Sequence, residues 1–259
     1  MAQYGIGVVA ATRSGLLVVD PHDFSVSRSL LARGAYDWGE ICWLTQLLDE
    51  HSRIVFVGAH LGALLVPFAL RSGSRHIVAF EPSPHNHRLL MMNVALNGLA
   101  GITIHHLAAG DSVGTIRFTE NRINSGNSRV SRTGEVVVAM TTLDAALPAE
   151  WPGTDLLVMD TEGFEVHAIR GGMQSLARAR FFYVEYAPDQ LAEQGSTSQE
   201  FIELIASRFS SMYLPGSAVR FFPSKTYTRY LSELPRRRGL LLNLLFSNEL
   251  TPERRLLAA

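Results

Sequence analysis

Four apolar segments of the chain end in residues that could bind a ligand or act on it. Each segment has the length and the Val, Leu and Ile content of a buried strand, and the segments alternate with helical patterns. In such folds ligands bind where the carboxyl ends of the strands meet, so these residues should lie together. The four strand ends carry Gly58–Gly62, Glu81, Ala109–Asp111 and Asp160.

The first two strand ends together predict a nucleoside site. Gly58 and Gly62 allow the backbone to turn sharply and approach a ligand, and the following helix N-terminus favours a carboxylate or phosphate. Glu81 stands where an acid can accept hydrogen bonds from both hydroxyls of a ribose. A dinucleotide fingerprint would require glycine at positions 58, 60 and 63, and His60 and Ala63 therefore argue against NAD.

The elements that position these residues form a predicted doubly wound α/β fold. A hairpin over residues 4–11 and 16–20 and a helix over 39–48 form an N-terminal extension, residues 1–52, to a main domain over 53–259. Ser83 as N-cap and Pro84 at the first helical position begin the helix after the second core strand. An antiparallel excursion with a long polar loop, 121–128, follows the third. The predicted core strands are 54–57, 76–82, 102–109, 155–160, 181–187 and 240–246.

Composition excludes several classes of protein. The 259 residues are 47% hydrophobic with a formal net charge of −1, which allows a large core and gives no basic excess for binding nucleic acid. Cys42 is the only cysteine, so neither an intramolecular disulfide nor a cysteine metal site is expected. No signal peptide and no membrane-spanning run is recognisable. We therefore expect a soluble, cytoplasmic protein that binds neither nucleic acid nor membrane, and we allow for a homodimer.

Several sequence blocks, in order, resemble the FkbM family of S-adenosylmethionine-dependent methyltransferases. They are VGAHLG, AFEPSPHNHRLLMMNVALNG, LAAGDSVG, NSGNS, TTLD and, most distinctively, DLLVMDTEGFE. The resemblance covers residues 16–187. It implies a class I methyltransferase fold, with a Rossmann-like, seven-stranded, mostly parallel sheet whose final strand is antiparallel, and S-adenosylmethionine as the cofactor.

The resemblance also implies roles for residues at the strand ends. Gly58, His60 and Gly62 would surround the methionine part of the cofactor, and Glu81, followed by Pro82, would hold the ribose. Ala109 and Asp111 would border the adenine, and Asp160 would face the methyl-transfer centre.

Two residues depart from the family pattern. The family usually has Asp where this chain has Phe56, and Lys where it has Val158. We hypothesise that an ion pair in relatives is replaced here by an apolar Phe56–Val158 contact, because exchanging a whole buried pair for apolar groups can be neutral or stabilising. His60 either donates to the cofactor carboxylate or is a satisfied core histidine.

Transfer of a methyl group to a hydroxyl requires a general base, and Asp160 and Glu162 are the first candidates, followed by Glu185. The competing interpretation is that one carboxylate caps the next helix while another contacts the cofactor amine. A metal ion held by Asp160, Glu162 and Glu165 is a weaker alternative, and we expect no metal.

The sequence therefore predicts an O-methyltransferase acting on a hydroxyl of a small molecule, such as a polyketide, sugar or other metabolite. The alternative is a degenerate domain that acts as a non-catalytic binding or scaffold partner, suggested by Phe56, His60 and Val158. Loop 121–128 has the character of a lid, and the segment 209–239 would help to build the acceptor pocket. Tyr36 and Trp38 would either stack on the adenine or pack the N-terminal hairpin.

Overall fold

The computed structural model describes residues 7–215, 219–234 and 238–248. The strands are β1 (Val8–Thr12), β2 (Gly15–Val19), β3 (Arg53–Val57), β4 (His76–Phe80), β5 (Ile102–His105), β6 (Ala108–Ala109), β7 (Gly114–Thr119), β8 (Arg129–Val130), β9 (Val136–Thr141), β10 (Thr154–Met159), β11 (Ala179–Tyr186), β12 (Ser211–Leu214), β13 (Arg220–Pro223) and β14 (Leu242–Ser247).

The helices are α1 (Val26–Arg33), α2 (Trp38–Leu44), α3 (Leu65–Ser72), α4 (Pro84–Leu96), α5 (Leu143–Ala146), α6 (Glu165–Arg170), α7 (Met173–Ala177), α8 (Pro188–Glu193), α9 (Ser198–Ala206) and α10 (Ser224–Glu233). Short 3₁₀ turns lie at Thr45–Leu47 and Ser125–Asn127.

A central eight-stranded sheet has the order β13-β12-β14-β11-β10-β3-β4-β5. Strands β5, β4, β3, β10 and β11 run parallel, and β14 lies antiparallel between β11 and β12. Seven of these strands confirm the predicted class I methyltransferase sheet with its antiparallel final strand. The eighth, β13, is an added edge strand that pairs antiparallel with β12.

Both faces of this sheet are covered, which explains why its strands are apolar throughout rather than alternating. Successive residues of β3 point to opposite faces: Ile54 and Phe56 join one buried cluster, and Val55 and Val57 join the other. The sheet is thus the middle layer of three.

The polar caps follow the sequence pattern at α4. The Ser83 hydroxyl accepts from the Asn86 N–H at 3.1 Å, and Pro84 occupies the first helical position, where no N–H partner exists. The N-terminal hairpin is hydrogen-bonded to this helix, with the Asn97 side chain accepting from the Leu16 N–H at 3.0 Å. Residues 4–6 of the predicted hairpin lie outside the described residues.

The single third strand predicted over 102–109 is wrong. Strand β5 ends at His105, whose ring stacks on Phe80 with the centroids 5.0 Å apart. After two residues the chain enters a separate four-stranded sheet of order β6-β9-β7-β8, in which β7 and β9 form the predicted antiparallel pair. The sequence analysis also missed α1, α8 and α10. No described helix is both long and apolar enough to span a bilayer.

Candidate active site

A cavity of about 310 Å³ opens at the carboxyl ends of β3, β4, β10 and β11. This volume lies in the usual range for small-molecule sites, and the position is the one expected for a ligand of a doubly wound sheet. Seven of the nine predicted site residues line it: Gly58, His60, Glu81, Pro82, Ala109, Asp160 and Glu162.

Gly58 is required by the backbone itself. Its φ is +82°, and a Cβ at this position would clash with the carbonyl oxygen of Asp160. The Gly58 N–H donates to the Phe80 carbonyl at 2.9 Å, so β3 turns directly over the end of β4. Gly62 does not line the cavity: its φ is +90°, and it packs against Leu90 of α4. Gly62 therefore shapes the turn without touching the ligand space.

Glu81 is buried at the cavity wall. One carboxylate oxygen accepts from the His60 N–H at 2.7 Å, and the other accepts from the Ser83 N–H at 2.9 Å. Burial raises the pKa of Glu81 to about 7, and the charges of Asp160 and Glu120 add to this effect. Each oxygen retains a lone pair, so the ionised group can accept two further hydrogen bonds, which fits the two hydroxyls of a ribose.

His60 has polar atoms without partners. Both ring nitrogens are buried and meet no hydrogen-bond partner among the described residues. Burial lowers the pKa of His60 to about 4, although Asp23 and Ser125 lie close enough to oppose the shift, so the ring is neutral at pH 7. Its φ of +53° is unusual for a non-glycine residue and directs the side chain to the cavity. The ring lines the cavity and lies beside the Ser125 backbone, and which of its two expected roles His60 fulfils stays a prediction.

Three carboxylates converge at the ends of β10 and β11. Oxygen atoms of Asp160, Glu162 and Glu185 lie within 4.8 Å of one another. Burial raises the pKa of each, and repulsion from neighbouring carboxylates raises it further: Glu165 acts on all three groups, and Asp37 acts on Asp160 and Glu185. No lysine or arginine stands among the described residues that line the cavity. The cluster therefore retains protons near neutral pH and can exchange them with a bound molecule.

The distribution of roles within Asp-Thr-Glu-Gly-Phe-Glu differs from the expectation. Glu165 caps the turn: one of its oxygens accepts from the Thr161 N–H at 2.9 Å and the Thr161 hydroxyl at 2.7 Å. Glu162, with φ +55°, instead reaches the cavity and accepts from the Gln190 amide at 2.8 Å. The acidic group that converges with Asp160 and Glu162 is thus Glu185, and not the Glu165 of the predicted metal alternative.

Phe56 and Val158 face each other directly across β3 and β10. They are 2% and 3% exposed and belong to the same buried cluster, as the hypothesis of an apolar replacement requires. The Phe56 ring packs edge-on against Phe68, with centroids 5.6 Å apart. Phe56 therefore forms part of the wall of the cavity and does not fill it.

Asp111 lies outside the cavity lining. Its carboxylate pairs with His167 Nδ1 at 3.0 Å, and this partnership lowers the pKa of Asp111. The His167 ring stacks on Phe164, which does line the cavity, with the centroids 4.4 Å apart. Asp111 can thus support the site through these two rings.

A further wall of the cavity comes from two segments outside the core strands, and of its residues the sequence analysis named Tyr36 and loop 121–128 but missed Ser25 and Val26. Ser25, Val26 and Tyr36 come from the N-terminal extension, and Asn124–Ser128 come from the loop that had the character of a lid. Burial raises the pKa of Tyr36, helped by the nearby carboxylates. Trp38 does not line the cavity, and the guanidinium of Arg71 lies 5.4 Å from the centre of its ring. Among the described residues of the segment 209–239, none lines the cavity.

Comparison with known proteins identifies a family that this chain matches. A model of the methyltransferase FkbM domain matches residues 57–212. The 2-O-methyltransferase NoeI of Sinorhizobium fredii is 25% identical over 184 residues, which cover 63% of this chain and 75% of that protein.

Two solved structures share less sequence. A SAM-dependent O-methyltransferase from Thermotoga maritima is 14% identical with a TM-score of 0.47, over 95% of this chain and 80% of that one. TYW2 of Pyrococcus horikoshii in complex with MeSAdo is 12% identical with a TM-score of 0.45, over 93% and 72% of the two chains. With the family model covering more than half of its length, the chain belongs to the FkbM family of S-adenosylmethionine-dependent methyltransferases.

Proposed function

We propose that the protein transfers a methyl group from S-adenosylmethionine to a hydroxyl of a small molecule. The observation that carries the proposal is the convergence of Asp160, Glu162 and Glu185 within one cavity, because a hydroxyl acceptor must lose its proton. The name of NoeI, a 2-O-methyltransferase, supports a hydroxyl acceptor.

Residues on the wall of the cavity fit the cofactor. Glu81 would accept hydrogen bonds from the ribose hydroxyls, and neutral His60 would donate to the methionine carboxylate. Pro82 and Ala109 would border the adenine. Gly58 has no side chain and would let the ligand approach the backbone closely. When bound, the cofactor would supply a methyl group on a sulfonium sulfur, and the thioether S-adenosylhomocysteine would be the leaving group of an in-line transfer to oxygen.

The carboxylates of the cluster would accept the proton that the acceptor hydroxyl loses. An ionised carboxylate of the cluster would take the hydroxyl proton of the acceptor as the acceptor oxygen takes the methyl group. Asp160 is the central candidate, since it follows β10 directly and its charge raises the pKa of both Glu162 and Glu185. Raised pKa values suit this role, because a general base works best when its pKa is near the operating pH.

The charge of the wall restricts the acceptor. Four carboxyl groups line the cavity without a lysine or arginine among its described lining residues, so an anionic acceptor would meet no cation there and would be repelled by the carboxylates that are ionised. Tyr36 and Gln190 offer hydrogen bonds, and Leu241 offers an apolar surface. We therefore favour an uncharged, polyhydroxylated acceptor or a cationic one, which includes sugars and other neutral metabolites.

The test combines binding with turnover. Calorimetry with S-adenosylmethionine and S-adenosylhomocysteine should detect binding, and methyl-labelled donor should then label neutral hydroxylated acceptors in preference to anionic ones. Asp160→Asn should lower kcat about 100-fold or more with little change in cofactor affinity. Asp155→Asn is the matched control, because Asp155 lies on β10, which leads to Asp160, accepts from the Arg53 N–H at 2.8 Å and is outside the cavity. Full turnover in Asp160→Asn would refute its role as base.

A further inference from the structure

Asp23 lies in the connection between β2 and α1, outside the region that matches the family model, and is 2% exposed. One of its oxygens accepts from the Ser25 N–H at 3.2 Å, the Ser25 hydroxyl at 2.7 Å and the Ser125 N–H at 2.9 Å. The other accepts from the Ser27 N–H at 2.7 Å. Burial alone would raise the pKa of Asp23, but hydrogen bonds from these serines outweigh it and lower the pKa to about 2.

The hydrogen bond from Ser125 to Asp23 is long-range, whereas the other three are local. Bonds to Ser25 and Ser27 cap the first turn of α1, which many aspartates do. Ser125 is 102 residues away along the chain, in the loop 121–128. A second link joins the same segments, since the Phe24 N–H donates to the Ile123 carbonyl at 2.9 Å.

Loop 121–128 lies close to both His60 and Glu162 on the cavity wall. Ser125 lies close to His60, and a Cβ added to Gly126 would stand 3.9 Å from an oxygen of Glu162. Asn124–Ser128 all line the cavity. The place of the loop therefore affects the His60 region, assigned above to the cofactor, and the Glu162 region, assigned to proton transfer.

We propose that Asp23 is a positioning residue that fixes loop 121–128 as a wall of the cofactor cavity. The N-terminal extension then contributes to cofactor binding although its aspartate touches no ligand. This inference rests on the proposed function for its effect on S-adenosylmethionine, while the attachment of the loop itself can be measured independently.

The chain offers a matched control in Asp144. One oxygen of Asp144 accepts from the N–H and the hydroxyl of Ser175, both at 2.7 Å, and the other accepts from the Gln174 N–H at 3.0 Å. This arrangement ties α5 to α7, and none of its residues lines the cavity. Asp23→Asn and Asp144→Asn therefore weaken similar hydrogen-bonded turns in different places.

Limited trypsin digestion followed by mass spectrometry reads out the loop directly, because Arg122 is exposed and precedes the anchored residues. Cleavage after Arg122 should be at least about fivefold faster in Asp23→Asn than in the wild type. The Kd for S-adenosylhomocysteine should rise about tenfold. Asp144→Asn should change neither quantity. A second variant, Ser125→Pro, removes the N–H donor while leaving Asp23 and its helix cap in place, and it should behave like Asp23→Asn.

Wild-type cleavage and affinity in both Asp23→Asn and Ser125→Pro would overturn the proposal. Equal effects in Asp144→Asn would also overturn it, because general destabilisation would then explain them. A wild-type protein that does not bind S-adenosylhomocysteine would contradict the proposed function instead, and the digestion would still decide whether Asp23 holds the loop.

Discussion

Replacing Glu81 by Gln tests the cofactor site most directly. The carboxylate holds the His60 N–H at 2.7 Å and the Ser83 N–H at 2.9 Å on separate oxygens. Glutamine can satisfy only one of them, because its amide nitrogen is a donor. A buried N–H left without an acceptor costs about 1–3 kcal/mol of folding free energy.

The same change removes one of the two acceptors proposed for the ribose hydroxyls. A hydrogen bond to a charged group contributes about 1.5–3 kcal/mol, so the affinity for S-adenosylmethionine should fall about 10- to 150-fold. Isothermal titration calorimetry of the wild type and the variant at pH 8 measures this difference.

The pH dependence gives a second signature. Burial raises the pKa of Glu81 to about 7 in the ligand-free protein, and the ribose hydroxyls require the ionised form. Wild-type affinity should therefore be constant well above pH 7 and fall towards tenfold per pH unit below it, with uptake of a proton on release of the ligand. Glutamine does not titrate, so this contribution should disappear in Glu81→Gln.

Glu120→Gln provides the control. Glu120 accepts from the Ser83 hydroxyl at 2.6 Å and from the His85 N–H at 2.9 Å, next to Glu81 but outside the cavity. The Glu120→Gln variant should have a lower free energy of unfolding but an undiminished affinity for S-adenosylmethionine. If Glu81→Gln bound S-adenosylmethionine as tightly as the wild type, with the same pH profile, the assignment of the ribose to Glu81 would be wrong.

Three further predictions follow from the buried strands and the acidic cluster. Phe56→Asp should lose about 3–5 kcal/mol of unfolding free energy in urea titrations at pH 7, and adding Val158→Lys should recover part of it; no recovery would contradict the ion-pair replacement. Gly58→Ala should lower Tm far more than Gly34→Ala, because both have positive φ but only Gly58 lacks space for a Cβ; equal losses would refute this. Because burial and nearby acids raise the pKa of Glu185 in the fold, ligand-free stability should fall as pH rises from about 5 to 8. Glu185→Gln should flatten that slope, and an unchanged slope would argue against it.

The strand ends were predictable because the geometry of a parallel sheet collects them at one edge. Gly58, Glu81 and Asp160 each follow an apolar run directly, and sequence spacing therefore places them with little ambiguity. The positions of Phe56 and Val158 were predictable for the same reason, since residues two apart share a face of a strand.

Contacts between distant segments were not predictable. Asp23 and Tyr36 belong to no local motif. Only the folded chain shows that Asp23 contacts loop 121–128 and that Tyr36 lines the cavity. The choice between Glu165 and Glu185 depends on a left-handed residue in the turn, which spacing does not reveal. Asp111 follows a strand of the smaller sheet and pairs with His167, 56 residues away.

The left-handed backbone at His60 and Glu162 has a consequence for engineering. Glycine would relieve roughly 1–2 kcal/mol of local strain at either position. Directed evolution for heat resistance alone should therefore enrich glycine there and erase the imidazole and the carboxylate that face the cavity. Libraries built on this scaffold need a selection for catalysis as well as for thermal stability, because the most thermostable variants would otherwise be inactive.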